Sequence, residues 1–122
     1  MITLFENITE QLTDLEKEKL VPLMKSLLLN TDEETRLTAA SLCGFLKYSG
    51  YQVTPPRIRK MVNYLRVTNK LKPFVLIGAS NGYFITGDLK IIDAQIESLT
   101  GRAESMLAAV DGIKAQKENL KH

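Results

Sequence analysis

The fold is decided by two neighbouring stretches, TPPRIRKMVNYLRV at residues 54–67 and FVLIGASNGYFIT at residues 74–86. The first predicts a helix, because Thr54 stands at an N-cap position and two prolines fill the first turn, where a missing amide hydrogen costs little. The second predicts a β-hairpin, because two short β-branched and aromatic runs flank Asn81-Gly82, a dipeptide typical of hairpin turns. The buried side of the helix is predicted from the i, i+3, i+4, i+7 spacing at Ile58, Met61, Val62 and Leu65.

Two further helices are expected before this pair. Thr13 and Glu16 have the spacing of a capping box, so the first helix should begin there, and Pro22 should kink or split it. The body of the second is expected over Thr38–Tyr48, with Gly50 ending it in the left-handed conformation, while a second capping pattern upstream leaves its start open. The apolar sides are predicted at Leu20, Leu23, Met24, Leu27 and Leu28 in the first helix, and at Ala40, Leu42, Cys43, Phe45 and Leu46 in the second.

A long final helix is expected from a cap at Asp88 to about residue 121. Gly101 and Gly112 weaken it, each by about 1 kcal/mol relative to alanine. At 1.5 Å per residue it would span about 50 Å, more than a small domain needs, so its far half should pack on a second copy, another protein or the first helix. Its a and d heptad positions are Leu89, Ile92, Ile96, Leu99, Ala103, Met106, Val110, Ile113, Lys117 and Leu120.

The net charge of +2 conceals an uneven distribution along the chain. Residues 1–35 hold eight acidic and three basic residues, residues 36–87 hold eight basic and no acidic residues, and residues 88–122 hold six acidic and five basic residues. A clustered positive field is typical of nucleic-acid binding. A solvated basic surface without a partner is the alternative.

Catalysis and metal binding are not expected. His122 is the only histidine and Cys43 the only cysteine, so the chain lacks a zinc ligand set and an imidazole base for a nucleophile. No cofactor is predicted, and Cys43 is interpreted as a small core residue. A single cysteine fits a reducing compartment such as the cytoplasm, since we find neither a secretory signal nor an apolar run of about 18 residues.

The order helix, helix, helix, hairpin, helix predicts a mainly α protein with a β-hairpin (α+β). Two short helices followed at once by a hairpin is the plan of a winged helix-turn-helix, whose second helix enters the major groove of DNA. We expect a winged-helix domain over residues 1–87, with its recognition helix at about 54–68 and its wing at about 73–87. Residues 88–122 form the long helix, a possible coiled-coil or dimerisation segment.

Several short sequence motifs resemble those of a family of small winged-helix proteins encoded by bacteriophages and prophages. The resemblance covers roughly residues 13–107 and implies a DNA-binding part in phage replication or gene control. Family members often carry lysine where this chain has Asn81. The wing tip of this chain therefore lacks a positive charge that those proteins have. The motifs are Gly50-Tyr51, Ile58-Arg59-Lys60-Met61-Val62-Asn63-Tyr64-Leu65-Arg66, Ser80-Asn81-Gly82-Tyr83, and Glu97-Ser98-Leu99 with Arg102.

Double-stranded DNA is therefore the predicted partner, with distinct roles for the polar residues. Lys60, Asn63 and also Arg59 are candidates for base edges, since arginine and lysine suit guanine and asparagine suits adenine. Tyr64 has two interpretations, a phosphate contact or a half-buried packing residue. Arg66 is a further candidate for DNA contact, and its alternative interpretation is a cation that caps the helix end. The candidates for phosphate neutralisation are Arg57, Lys70 and Lys72.

Two other function classes are alternatives to DNA binding. The main rival is a winged-helix interaction adaptor or oligomerisation module, in which the basic face docks an acidic protein and the long helix binds a second copy or a partner helix. That contact would run along Leu89, Ile92, Ile96, Leu99, Met106, Val110 and Ile113. An enzyme ranks third, for want of a catalytic set.

Overall fold

The computed structural model describes residues 11–121 and divides the chain into two compact units, the first ending at Gly87 and the second beginning at Asp88. The first holds three helices and a two-stranded antiparallel hairpin, and the second is one long helix, so the expected α-rich protein with a hairpin and a long C-terminal helix is confirmed. In chain order the elements are α1 (a π-helical segment Glu16–Leu20 continued by an α-helix Val21–Leu28), α2 (Ala39–Tyr48), α3 (Pro55–Val67), β1 (Val75–Ala79), β2 (Gly82–Thr86) and α4 (Leu89–Leu120).

The start of α1 is the predicted capping box. The Glu16 amide donates to the Thr13 hydroxyl at 3.1 Å, and the Thr13 amide donates to the Glu16 carboxylate at 2.8 Å. The predicted interruption at Pro22 takes the form of a change in helix type: the turn before it is π-helical, and the α-helical stretch begins at Val21. The proline lies in the first turn of that stretch, where no donor is required.

The buried sides of α1 and α2 differ from the predicted ones at their edges. In α1, Leu23 was predicted to be buried but is exposed. The apolar stripe of this helix is wide, and the side chains that pack into the core lie on the side of the stripe away from Leu23. In α2, the prediction was wrong for Ala40 and Phe45, which are exposed, because the helix packs on Leu42 and Leu46. Cys43 packs half-buried against the core, and burial raises the pKa of its thiol.

Both α2 and α3 end in the same backbone motif. Gly50 takes φ 97°, as predicted, and the Tyr51 amide donates to the carbonyl of Leu46 at 2.9 Å. At the end of α3, Asn69 takes φ 55° and the Lys70 amide donates to the Leu65 carbonyl at 3.1 Å. These are Schellman motifs, which satisfy carbonyls at the helix end and turn the chain sharply.

The hairpin is joined to the helices through two single residues. Its strands pair in the register Val75↔Thr86 to Ala79↔Gly82. At the turn they extend past the two β-branched and aromatic runs, by Gly78 and Ala79 in β1 and by Gly82 in β2. Leu37, just ahead of α2, exchanges two backbone hydrogen bonds with Tyr83 at 2.8 and 3.0 Å. The buried hydroxyl of Thr31 donates to the Leu28 carbonyl at 2.6 Å and accepts from the Ile85 amide at 3.1 Å. These contacts fix β2 against the end of α1 and the start of α2.

One core holds the first unit together. All three helices and the face of the hairpin formed by Leu76 and Ile85 contribute to it. The predicted inner side of α3 is confirmed in full. The buried core residues are Leu12, Leu20, Val21, Met24, Leu28, Leu42, Leu46, Ile58, Met61, Val62, Leu65, Leu71, Leu76 and Ile85.

Within residues 11–121, no helix is long and apolar enough to cross a membrane.

Replacing Gly82 with alanine is expected to lower the free energy of unfolding by about 1–3 kcal/mol. Gly82 has φ 125°, which strains an L-residue, and an added Cβ would lie 3.1 Å from the carbonyl oxygen of Leu37. Urea unfolding measures the change. Gly44→Ala in α2 is the control: its Cβ would meet nothing within 4 Å, and alanine should stabilise the helix by about 0.5–1 kcal/mol. Equal stability of Gly82→Ala and the wild type would contradict a tight contact with Leu37.

Candidate nucleic-acid interface

The outer face of α3 carries the polar residues that were predicted to read DNA. Its inner side is fully buried, with Ile58, Met61 and Leu65 inaccessible to solvent. Successive residues of an α-helix are rotated by about 100°. With the inner side buried, Asn63 is therefore exposed, and Lys60 and Tyr64 are half-buried at the rim. The local fold is set by the Thr54-Pro55-Pro56 start: Thr54 adopts the extended N-cap conformation as predicted, although its side chain makes no capping hydrogen bond.

A groove of about 400 Å³ runs beside this outer face. The start of α1 forms one wall and α3 forms the other. It joins three of the predicted site residues to a lysine that the sequence analysis missed, Lys17. The lining residues are Gln11, Leu12, Lys17, Lys60, Asn63, Tyr64 and Val67.

Lys17 escaped the sequence analysis because it lies in the acidic part of the chain. Its neighbours Glu16 and Glu18 hide it in any tally along the sequence. Only the fold turns Lys17 toward the groove while Glu16 turns inward, where it is 6% exposed. The capping box at Thr13 was the one available signal, since it fixes the direction of Glu16 and so of its neighbours.

Tyr64 is a half-buried packing residue, which is one of its two predicted roles, and its phosphate contact stays a prediction. Its ring packs half-buried against the core, and it also lines the groove. The ammonium group of Lys70 lies 6.0 Å from the centre of this ring, within range of a cation–π contact. Lys17 and Lys60 thus line the groove, and Lys70 lies beside Tyr64.

Arg57 has a different role from the predicted one. Its Nε donates to Glu16 at 2.8 Å, and its Nη2 donates both to Glu16 and to the carbonyl of Gln11. The ion pair is largely inaccessible, with the two side chains 18% and 8% exposed. Arg57 therefore neutralises Glu16 and holds α3 to the start of α1, and we withdraw it as a phosphate contact.

Folding also shifts the pKa of the Glu16 carboxyl. Burial alone would raise it, but the hydrogen bonds from Arg57 and Thr13 and the charge of Arg57 outweigh burial, so the pKa lies below its ordinary value. The same hydrogen bond raises the pKa of Arg57. Both shifts favour the charged pair.

Two further arginines of the basic segment lie against the hairpin. Arg66 is half-buried, and its guanidinium lies so near Gly78 that an added Cβ there would be 3.0 Å from Nη2. Arg36 donates to the Asn81 side chain at 2.7 Å and stacks over Phe84 at 4.5 Å. The hairpin tip is therefore held by Arg36 through the side chain of Asn81.

The remaining predicted cations are exposed. Arg59 lies on α3 beside Lys60, Lys70 follows the helix end, and Lys72 precedes β1. Lys47 is exposed on α2. The structure thus gathers Lys60, Asn63 and Tyr64 into one groove and assigns Arg57 and Arg66 mainly to internal contacts.

Comparison of the chain with protein-family models, with curated proteins and with solved structures finds no match.

The stability of the Glu16–Arg57 pair should depend on pH. Because folding lowers the pKa of Glu16, its contribution is complete above the ordinary carboxyl pKa and is lost as the pH falls through the lower folded-state value. Glu16→Gln should lower the free energy of unfolding at neutral pH by about 1–3 kcal/mol and should flatten this acid dependence. Urea unfolding at a series of pH values measures both effects.

The control is Glu18→Gln, which removes the same charge from an exposed neighbour. It should change stability by no more than about 0.5 kcal/mol. If Glu16→Gln and Glu18→Gln gave the same stability and the same acid profile, the ion pair would not hold α1 to α3.

Proposed function

We propose that the chain binds double-stranded DNA through the outer face of α3. The observation that carries this proposal is the groove in which Lys17 and Lys60 border Asn63 and Tyr64, with Lys70 beside Tyr64. Lysines neutralise phosphates, while a side-chain amide pairs with the major-groove edge of adenine. Cations beside an amide on an exposed helix face are therefore the combination that duplex DNA requires.

The relation of the hairpin to the helices supports a winged-helix assignment. The hairpin directly follows the α2–α3 pair, and Leu37 and Thr31 fasten β2 to the segments before α2. A hairpin so attached would lie beside the helix pair as a wing. In this assignment α3 is the recognition helix and α2 crosses the DNA backbone.

The residues then have the following roles. Lys60 and Asn63 read base edges, with Arg59 beside them on the exposed side of the helix. Tyr64 positions the DNA through a phosphate. Lys17, Lys70 and Lys72 neutralise phosphates. The hairpin tip contributes little, because Asn81 already accepts a hydrogen bond from Arg36.

The resemblance to phage and prophage winged-helix proteins supports phage replication or gene control as the proposed setting of this activity. Both processes require a protein that holds a defined duplex site, for which a helix-turn-helix is suited. The proposed role is therefore that of a DNA-binding protein, without a catalytic step of its own.

Protein binding is the second candidate, and one observation favours it. Val67 lines the same groove and is 69% exposed, and Leu12 and Tyr64 add apolar surface nearby. A groove of lysines and apolar side chains also fits an acidic peptide. The dependence of binding on salt and on DNA sequence separates the two functions.

Fluorescence anisotropy with a random duplex tests the proposal. If Lys17, Lys70 and Lys72 each neutralise one phosphate, log K should fall with log salt at a slope of about −2.7. Lys17→Ala should weaken binding and reduce the magnitude of that slope by about 0.9. Lys19→Ala is the matched control, since Lys19 is an exposed lysine of the same π-helical segment that does not line the groove. Absence of duplex binding at low salt would reject the proposal in favour of protein binding.

Selection of binding sites from a random library separates positioning from reading. Asn63→Ala should relax the preference at one base pair and cost about 1–3 kcal/mol on the selected site. Lys17→Ala should weaken all sequences about equally. An unchanged base preference in Asn63→Ala would exclude Asn63 as a base-reading residue.

A further inference from the structure

The second unit exposes a long stripe of apolar side chains. No residue of α4 is buried. Leu89, Met106 and Ile113 are each more than 60% exposed, and Leu120 is 88% exposed. The stripe occupies the a and d heptad positions along the whole helix, which we call the α4 stripe: Leu89, Ile92, Ile96, Leu99, Ala103, Met106, Val110, Ile113, Lys117 and Leu120.

A helix of this composition requires a partner. Isolated helices gain little stability from their own hydrogen bonds, and Gly101 and Gly112 each weaken α4. Exposed apolar surface of this extent marks a binding face in a water-soluble chain. Since both glycines lie at outward heptad positions, f and c, they leave the stripe itself continuous.

We propose that the α4 stripe binds the α4 stripe of a second copy of this chain, in antiparallel orientation. The proposal concerns the second unit alone and does not depend on DNA binding. The register of the stripe and the charges that flank it support this pairing.

The stripe matches itself when one copy is reversed. With Ala103 set against Met106 of the second copy, Ile96 meets Ile113 and Leu89 meets Leu120. Each a position then faces a d position, as antiparallel coiled coils require, and a small residue faces a large one at the centre. All ten positions are used, so no apolar residue of the stripe remains uncovered.

A parallel pair, in which like residues lie opposite each other, would be unfavourable. It would set Lys117 against Lys117 at an inner position, where two like charges would be partly desolvated. Its flanking e and g positions would bring Arg102 to Leu107 and Ala109 to Lys114. These contacts offer no opposite charges to fix the pairing.

The antiparallel pair satisfies these charges. Lys117 meets Ile92 of the second copy, so its stem covers an apolar side chain while its ammonium group reaches water. Asp93 and Lys114 both occupy e positions and face each other across the pair, once at each end. Leu107, also at an e position, meets Thr100 of the second copy, which extends the apolar contact.

The overall charge of the helix agrees with this arrangement. Residues 88–104 hold four acidic and two basic residues, whereas residues 105–121 hold two acidic and three basic residues. An antiparallel pair brings the net negative half of each helix to the net positive half of the other. It also sets the two helix dipoles in opposition, which lowers their interaction energy.

Charge reversal in the full chain tests the orientation. Asp93→Lys and Lys114→Asp should each weaken dimerisation about tenfold by sedimentation equilibrium, because two ion pairs are lost and replaced by repulsions of similar size. The double variant should recover wild-type affinity, since it exchanges the charges across the same contacts. Glu97→Lys, one turn away at an outward b position, is the control and should leave dimerisation unchanged.

Disulfide trapping provides a second, independent measurement. In a Cys43→Ala background, Ile96→Cys alone and Ile113→Cys alone should not cross-link, since like positions lie about 25 Å apart along an antiparallel pair. A mixture of the two proteins should give a disulfide-linked dimer under mild oxidation.

Three results would overturn the proposal. The first is cross-linking of either single variant alone, which would show a parallel pair. The second is a double charge variant as weak as the single ones. The third is a wild-type chain that stays monomeric at 100 μM, which would assign the α4 stripe to another protein or to this chain's own first helix. All three measurements are made without DNA, so their outcome is separate from that of the duplex-binding experiments.

Discussion

The rest of the first unit depends on a single carboxylate. Glu16 closes the capping box that starts α1, and it also receives the guanidinium of Arg57 from α3. One inward-facing side chain thus sets the beginning of one helix and the position of another. Because the groove lies between these two elements, its width and its lysines follow from this contact. A buried charge is costly unless it is paired and hydrogen-bonded, and Glu16 meets both conditions within a few residues of the proposed interface.

Folding redistributes the charge that the sequence concentrates. Of the basic residues between 36 and 87, Arg36 and Arg66 lie against the hairpin and Arg57 pairs with Glu16. These three are arginines, whose planar, multi-donor head suits fixed contacts inside a protein. The cations that stay exposed around α3 are mostly lysines, joined by Lys17 from the acidic segment. Counting charges along the sequence therefore locates cations around α3, but it cannot separate those held by internal contacts from those that stay exposed.

Local patterns in the sequence predict the parts of this structure that are themselves local. The capping box, the double-proline start of α3, its four-residue inner side and the left-handed Gly50 are each confirmed, because each is decided by residues within about one helical turn. What the sequence could not give is set by contacts between distant segments. Phe45 looks like core but faces outward, Asn69 ends α3 as a glycine would, and Leu37 pairs with Tyr83 across 46 positions of the chain. The groove belongs to the same class, since its walls come from the start of α1 and from α3, which are distant in the sequence.

The pairing of Leu37 also decides which strand is left at the margin of the sheet. In the described part of the chain, β2 has Leu37 on one side and β1 on the other, so the outer hydrogen-bonding edge belongs to β1. An open edge with apolar residues such as Phe74 and Val75, 44% and 37% exposed, is a template for adding a foreign strand and hence for aggregation. Three features oppose this: β1 has five residues, Pro73 lacks an amide donor just before it, and Lys72 adds a charge. The short strand, the proline and the lysine together thus disfavour self-assembly of the chain through its sheet.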